Sequence, residues 1–90
     1  MANVNTDYIE LIETARNIKK AIDSVTGTKN NIVHGYQELG LGWKDKKYQE
    51  LGVIVNECNR ALTEVLKILS KGEKFVGSLA KSLQTYEDIT

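Results

Sequence analysis

Side chains that could carry out chemistry are few in this sequence. Cys58 is its only cysteine and His34 its only histidine. A nucleophilic thiol needs a neighbouring base and a lowered pKa, but a hairpin register would place His34 level with about residue 50, roughly two turns from Cys58. We expect Cys58 to be a buried, unreactive thiol and His34 to lie on a helix surface or at an interface. Adjacent carboxylates are typical of helix caps and surface charge: Glu10, Glu13, Glu87 and Asp88.

Sites for a metal or an organic cofactor are not expected either. A single cysteine and a single histidine cannot form the ligand clusters of a metal site. No glycine-rich loop follows a strand pattern, so a phosphate-binding loop is not indicated. The sequence predicts a protein that is not an enzyme, with no catalytic residue and no cofactor.

The charge pattern argues against a nucleic-acid partner. Twelve basic and twelve acidic residues give zero net charge, and the two signs are mixed along the chain. A nucleic-acid binder normally shows a basic face or tail. The lysines at 19–20 and 44–47 have acidic neighbours, which is typical of a solvated surface.

No segment is predicted to enter a membrane. No apolar run approaches the roughly 20 residues of a membrane span, and we expect no stable membrane insertion. The first ten residues, MANVNTDYIE, lack the basic start and apolar stretch of a cleavable signal peptide. If the protein leaves the cell, it is expected to use a route that does not read such a leader.

The periodicity of apolar residues predicts two long helices. Proline is absent, and bulky residues recur at alternating steps of three and four, which is the heptad pattern of packed helices. In the first half Lys29 interrupts the series Tyr8, Leu11, Ala15, Ile18, Ile22, Val25, Ile32, Tyr36 and Leu39. In the second half the series is Leu51, Val55, Cys58, Leu62, Val65, Leu69, Gly72, Val76, Leu79, Leu83 and Tyr86.

A short glycine-containing segment separates these helices. Gly40 and Gly42 supply backbone freedom that would end the first helix, and Asp45 is expected to cap the second. Asp7 with Glu10 resembles a capping box at the start of the first. We predict one all-α domain over residues 1–90 without internal repeats, an antiparallel hairpin with helices at about 7–39 and 45–87 and a turn at about 40–44.

The predicted hairpin leaves an apolar face unpaired. Ile54, Ala61, Ile68 and Phe75 recur every seven residues beside the main series, which widens the apolar face beyond what one neighbouring helix covers. A chain of this length also buries only about 60% of its unfolded surface. We predict that these four residues form a dimer interface and that two hairpins close a four-helix bundle. The partner is either a second copy or a homologous hairpin.

Trp43 is the only tryptophan and lies in the predicted turn. One interpretation is that its ring covers the end of the bundle by packing on Leu39, Leu41 or Tyr48. The other is that the ring is presented to a partner, a role in which tryptophan is enriched. The two interpretations are compatible.

A lone tryptophan in a central turn between two heptad helices, in a chain of about ninety residues, resembles the WXG100 (ESAT-6-like) family. The turn reads Gly40-Leu41-Gly42-Trp43-Lys44-Asp45, with Asp45 where the family usually has glycine. The resemblance covers essentially the whole chain and implies export through a type VII secretion system, as a substrate or as the small dimeric partner of a larger secreted effector. It implies that Trp43, with Asp45 shaping the turn, is recognised by a partner or by the secretion ATPase. Tyr86 corresponds to the tyrosine of the C-terminal export signal, although its acidic neighbours stand at a different spacing.

Two other functions fit the same residues less fully. A helical adaptor that stays in the cytoplasm would need Trp43 only for packing. An RNA-binding hairpin would need a basic helix face, which the charge balance does not supply.

Overall fold

The protein is an all-α helical hairpin. The computed structural model describes residues 4–89, with side chains described for residues 7–83. Helix α1 is Val4–Leu39 and helix α2 is Lys46–Ile89, and residues 4–89 contain no strand. The two helices pack against each other, which confirms the predicted fold class. Neither described helix has an apolar stretch long enough to cross a membrane.

The hairpin divides into two compact units. The terminal unit combines α1 up to Ile22 with α2 from Ile68, and the turn unit is Asp23–Lys67. Each unit therefore holds one segment of each helix, and each is described by itself below.

In the terminal unit, α1 presents the predicted apolar series to α2. Tyr8, Leu11, Ala15, Ile18 and Ile22 are all partly buried. A Cβ added to Gly72 of α2 would lie 3.6 Å from Cδ1 of Ile18, which is ordinary contact. Ala80, at 4% exposure, is the only buried apolar side chain in the described part of the chain. The described residues of this unit therefore enclose almost no core.

In the turn unit, two polar residues occupy the packed face. Val25, Ile32 and Tyr36 are partly buried as predicted, and so is Lys29, which interrupts the apolar series. On α2, Asn59 is partly buried and its Oδ1 has no hydrogen-bond partner. Because Tyr36 meets Gly52 in this unit, the same antiparallel register places position 29 opposite position 59. Polar residues at core positions of this kind lower stability but favour one register.

The packed face predicted for α2 was correct for the column that recurs every seven residues from Val55 to Leu83, which is partly buried, and wrong at three positions of the adjacent column. Cys58, Val65 and Leu79 are exposed, and Leu39 at the end of α1 is exposed too. The helix instead turns an inner stripe toward α1, with steps that again alternate three and four: Tyr48, Gly52, Val55, Asn59, Leu62, Leu66, Leu69, Glu73, Val76, Ala80 and Leu83. Apolar residues occupy several adjacent heptad columns of α2, so hydrophobicity alone favoured the wrong column. Gly52 lies where the Tyr36 ring of α1 approaches closely.

Two local expectations are also corrected. Helix α1 begins at Val4, which places Asp7 in its first turn and not at its N-cap, so the capping box at Asp7 and Glu10 was wrong. A carboxylate in the first turn still interacts favourably with the helix dipole. No glycine in the chain has a positive φ, so Gly40 and Gly42 do not end α1 through a left-handed conformation.

Candidate functional site: the Trp43 turn and the outer face of α2

The turn continues directly from the last turn of α1. The amide of Gly40 donates to the carbonyls of Tyr36 and Gln37, both at 3.1 Å. The Trp43 amide donates to the Leu39 carbonyl at 3.0 Å. These bonds satisfy carbonyl groups that the end of a helix leaves unpaired. They also place Trp43 directly beside the start of α2.

Two tyrosines, which we call the tyrosine clasp, join the helices next to the turn. The rings of Tyr36 and Tyr48 stack with centroids 4.2 Å apart and an interplanar angle of 4°. The Tyr48 hydroxyl donates to the Tyr36 carbonyl at 2.9 Å, and the Tyr36 hydroxyl donates to the Tyr48 carbonyl at 3.2 Å. Loss of solvent around its hydroxyl, together with the Tyr36 side chain, raises the pKa of Tyr48.

Each tyrosine of the clasp lies over a glycine on the other side of the turn, Tyr36 over Gly52 of α2 and Tyr48 over Gly40, directly after α1. A Cβ on Gly52 would collide with the Tyr36 hydroxyl and lie 3.0 Å from its Cζ, and a Cβ on Gly40 would lie 2.8 Å from Cζ of Tyr48. These two glycines are therefore needed for close approach of the tyrosine rings.

A repeated pentapeptide, missed in the sequence analysis, produces this arrangement. Residues 36–40 and 48–52 both read YQELG, which corrects the expectation that the chain has no internal repeat. Because the two copies run antiparallel across the turn, each tyrosine reaches the glycine of the other copy. The repeat itself was the signal that could have located the clasp.

Asp45 caps the start of α2 and interacts with the Trp43 side chain. The backbone N–H of Tyr48 donates to Asp45 Oδ1 at 3.1 Å, which confirms the predicted N-cap. Hydrogen bonds from the Trp43 side chain and then from the Tyr48 amide lower the pKa of the Asp45 carboxyl. Aspartate at this position can thus accept a hydrogen bond from the Trp43 side chain, which glycine could not.

Trp43 is packed on one side and open on the other. Its ring centroid lies 5.9 Å from that of Tyr48, at an interplanar angle of 55°. The residue is nevertheless 37% exposed, beside Leu41, which is 81% exposed. Both interpretations of Trp43 from the sequence are therefore compatible with the geometry, since the ring is oriented by neighbours and remains accessible.

A second heptad series on α2, which we call the outer stripe, is exposed at every position except Gly72. Its positions are Ile54, Cys58, Ala61, Val65, Ile68, Gly72, Phe75 and Leu79. In the turn unit its four members, from Ile54 to Val65, are exposed. In the terminal unit Ile68 and Phe75 are 65% and 67% exposed and Leu79 is exposed, while Gly72 is partly buried.

The residues predicted for the dimer interface all belong to this outer stripe. Ile54, Ala61, Ile68 and Phe75 are exposed, so they are accessible to a partner. Their role in pairing stays a prediction. Tyr86, predicted for the export signal, lies outside the residues whose side chains are described.

Residues considered for chemistry are not brought together. Cys58 is exposed, so the expected burial of its thiol was wrong, because the residue lies on the outer stripe. His34 Nε2 lies 3.5 Å from Glu38 Oε1 on the surface of α1, as an exposed pair one helical turn apart. Among the described residues there is no group of three or more His, Cys, Asp or Glu that could hold a metal.

Comparisons with models of protein families, with curated proteins and with solved structures find no match for this chain.

Proposed function

We propose that this chain is a non-enzymatic, WXG100-like interaction protein that pairs with another helical hairpin and is exported through a type VII secretion system. It would travel as a substrate itself or as the small partner of a larger secreted effector. The single observation that carries the proposal is the accessible tryptophan, which the turn orients through Asp45 and Tyr48 while 37% of its surface stays open.

Recognition at the turn would use shape and apolar surface. Trp43 and Leu41 are exposed together at one end of the turn unit, and a rigidly oriented tryptophan loses little conformational freedom when a partner covers it. The tyrosine clasp fixes the two helices on either side of this patch. A secretion ATPase, or a folded partner, would therefore meet a preformed surface.

The pairing of hairpins is supported by how little apolar surface the chain buries. Only Ala80 is buried among its described apolar side chains, whereas ten large hydrophobic residues are exposed. Exposed apolar faces of this extent usually mark protein–protein interfaces. The outer stripe is the surface on which a second hairpin would pack.

The test is export from a host that carries a type VII secretion system. Trp43→Ala is expected to remove the protein from the culture supernatant while it accumulates folded inside the cell. Val53→Ala is the control, because Val53 is also exposed but lies outside the turn and the outer stripe. Circular dichroism of both purified variants checks that the helices are intact. Export of Trp43→Ala at the level of Val53→Ala would contradict the recognition role.

A second function, a helical adaptor retained in the cytoplasm, is favoured by the contact of Trp43 with Tyr48, 5.9 Å between ring centroids. In that case tryptophan serves only to pack the turn. A gene neighbourhood with an FtsK/SpoIIIE-type ATPase favours export, and absence of the wild-type chain from the supernatant of an active host favours the adaptor.

A further inference from the structure

We infer that Tyr36 is a positioning residue for Trp43: it fixes the ring of Tyr48, and that ring in turn orients the indole. No ring contact joins Tyr36 to Trp43 among the described residues. The inference rests on the proposed recognition of Trp43 and extends it to Tyr36 of α1 and Gly52 of α2, neither of which belongs to the turn.

The backbone and the side chain of Trp43 have separate supports. The Trp43 amide donates to the Leu39 carbonyl at 3.0 Å, which fixes the backbone but does not select a side-chain rotamer. The Asp45 carboxylate can accept a hydrogen bond from the indole. The ring contact described for Trp43 is with Tyr48, 5.9 Å between centroids at an angle of 55°. The orientation of the indole therefore depends on the position of the Tyr48 ring as well as on Asp45.

The Tyr48 ring is held by Tyr36. The two rings stack with centroids 4.2 Å apart, and the Tyr48 hydroxyl donates to the Tyr36 carbonyl at 2.9 Å. The Tyr36 hydroxyl donates back to the Tyr48 carbonyl at 3.2 Å. The Tyr36 side chain thus supplies the stack and one of the two hydrogen bonds. If it is displaced, one face of the Tyr48 ring is uncovered, and a Tyr48 ring that changes rotamer no longer borders the indole in the same place.

Gly52 leaves the space that the Tyr36 ring occupies. The three heavy atoms nearest to a Cβ added at Gly52 all belong to the Tyr36 side chain: the hydroxyl oxygen, which would collide, Cζ at 3.0 Å and Cε2 at 3.6 Å. Alanine at position 52 therefore acts on Trp43 through the two tyrosines. Because the hydroxyl makes the closest approach, phenylalanine at position 36 would relieve most of the collision and keep the stacked ring.

The first measurement is the fluorescence of Trp43, which reports this position alone because the chain has no other tryptophan. In Gly52→Ala the Stern–Volmer constant for acrylamide quenching should roughly double, since the indole, 37% exposed in the wild type, loses its fixed neighbour. Gly35→Ala is the matched control, because its Cβ would meet nothing within 4 Å. Far-UV circular dichroism checks that both variants remain helical. Quenching of Gly52→Ala at the level of Gly35→Ala would overturn the inference.

A second set of variants separates displacement of the ring from a general loss of structure. Tyr36→Leu, which removes the ring, should raise the quenching of Trp43 as Gly52→Ala does. The double variant Gly52→Ala with Tyr36→Phe should return the quenching close to the wild-type value, a non-additive result expected for side chains in contact. A double variant that is quenched as strongly as Gly52→Ala alone would mean that alanine acts by another route, and the inference would fail.

Export then tests whether the orientation of Trp43 is recognised. Gly52→Ala should reach the supernatant at a level reduced several-fold, because an indole that is not held must be ordered on binding, whereas Gly35→Ala and the double variant should be exported like the wild type. Normal export of Gly52→Ala, with Trp43 displaced and Trp43→Ala retained in the cell, would refute the positioning role in recognition. Normal export of Trp43→Ala would refute the proposed function instead, and quenching would still decide whether Tyr36 orients Trp43.

Discussion

Two glycines of the turn unit should respond in opposite directions to the same substitution. Gly35 and Gly52 both lie within helices, and neither has a positive φ. A Cβ on Gly35 would meet nothing within 4 Å, whereas a Cβ on Gly52 would collide with the Tyr36 side chain. Gly35→Ala is therefore expected to stabilise the protein, and Gly52→Ala to destabilise it.

The expected magnitudes follow from what each alanine gains and loses. Replacing a helical glycine by alanine gains about 0.5–1 kcal/mol. Gly52→Ala gains the same term but displaces the Tyr36 ring, which loses one hydrogen bond of about 1 kcal/mol and a stacked pair of about 1 kcal/mol. The free energies of unfolding of the two variants should differ by about 2 kcal/mol, which corresponds to a Tm difference on the order of 8–16 °C for a domain of this size.

The assay is thermal unfolding by circular dichroism, with all variants at one protein concentration because association also stabilises the folded state. A titration of tyrosine absorbance gives a second measurement, since the raised pKa of Tyr48 should return toward its ordinary value when the clasp opens in Gly52→Ala. If Gly52→Ala were as stable as Gly35→Ala and left the Tyr48 titration unchanged, the clasp would not be holding the turn unit together.

Two further substitutions test the cap and the polar position in the packed face. Hydrogen bonds hold the pKa of Asp45 below 3.8 in the folded protein, so its contribution to stability is present above that pH and is lost as the pH falls through the lowered pKa. Asp45→Asn keeps an acceptor at the cap but does not titrate, so it should abolish this part of the acid dependence of thermal unfolding. A pH profile of Tm that the substitution leaves unchanged would refute the assignment. Asn59→Leu should raise the free energy of unfolding by about 1–2 kcal/mol, because it removes a buried oxygen without a hydrogen-bond partner. Denaturant titration measures this change in free energy. A loss of stability would mean that Asn59 makes an interaction that leucine cannot replace.

Much of the hairpin could be read from residue types alone. The three-and-four spacing on α1 identified its packed face, including the interruption at Lys29, because this helix has one narrow apolar stripe. Asp45 was predicted as the N-cap, since an aspartate directly before a periodic segment is a strong local signal. These features depend on neighbours within a few residues, so sequence spacing is sufficient to predict them.

The face that α2 turns toward α1 was decided only by tertiary structure. Its apolar residues cover adjacent heptad columns. The column of Cys58, Val65 and Leu79 is exposed, although it is more hydrophobic than the inner-stripe column of Gly52, Asn59 and Glu73. The two YQELG segments are visible in the sequence, but their effect depends on an antiparallel approach across the turn, which brings each tyrosine over the glycine of the other copy. Residue types alone thus predict two helices and the position of the turn between them, because helix formation and the cap at Asp45 depend on near neighbours. Which faces meet, and which apolar face is left for a partner, depended on close approach between distant residues, where the volume of a single side chain selects the packing.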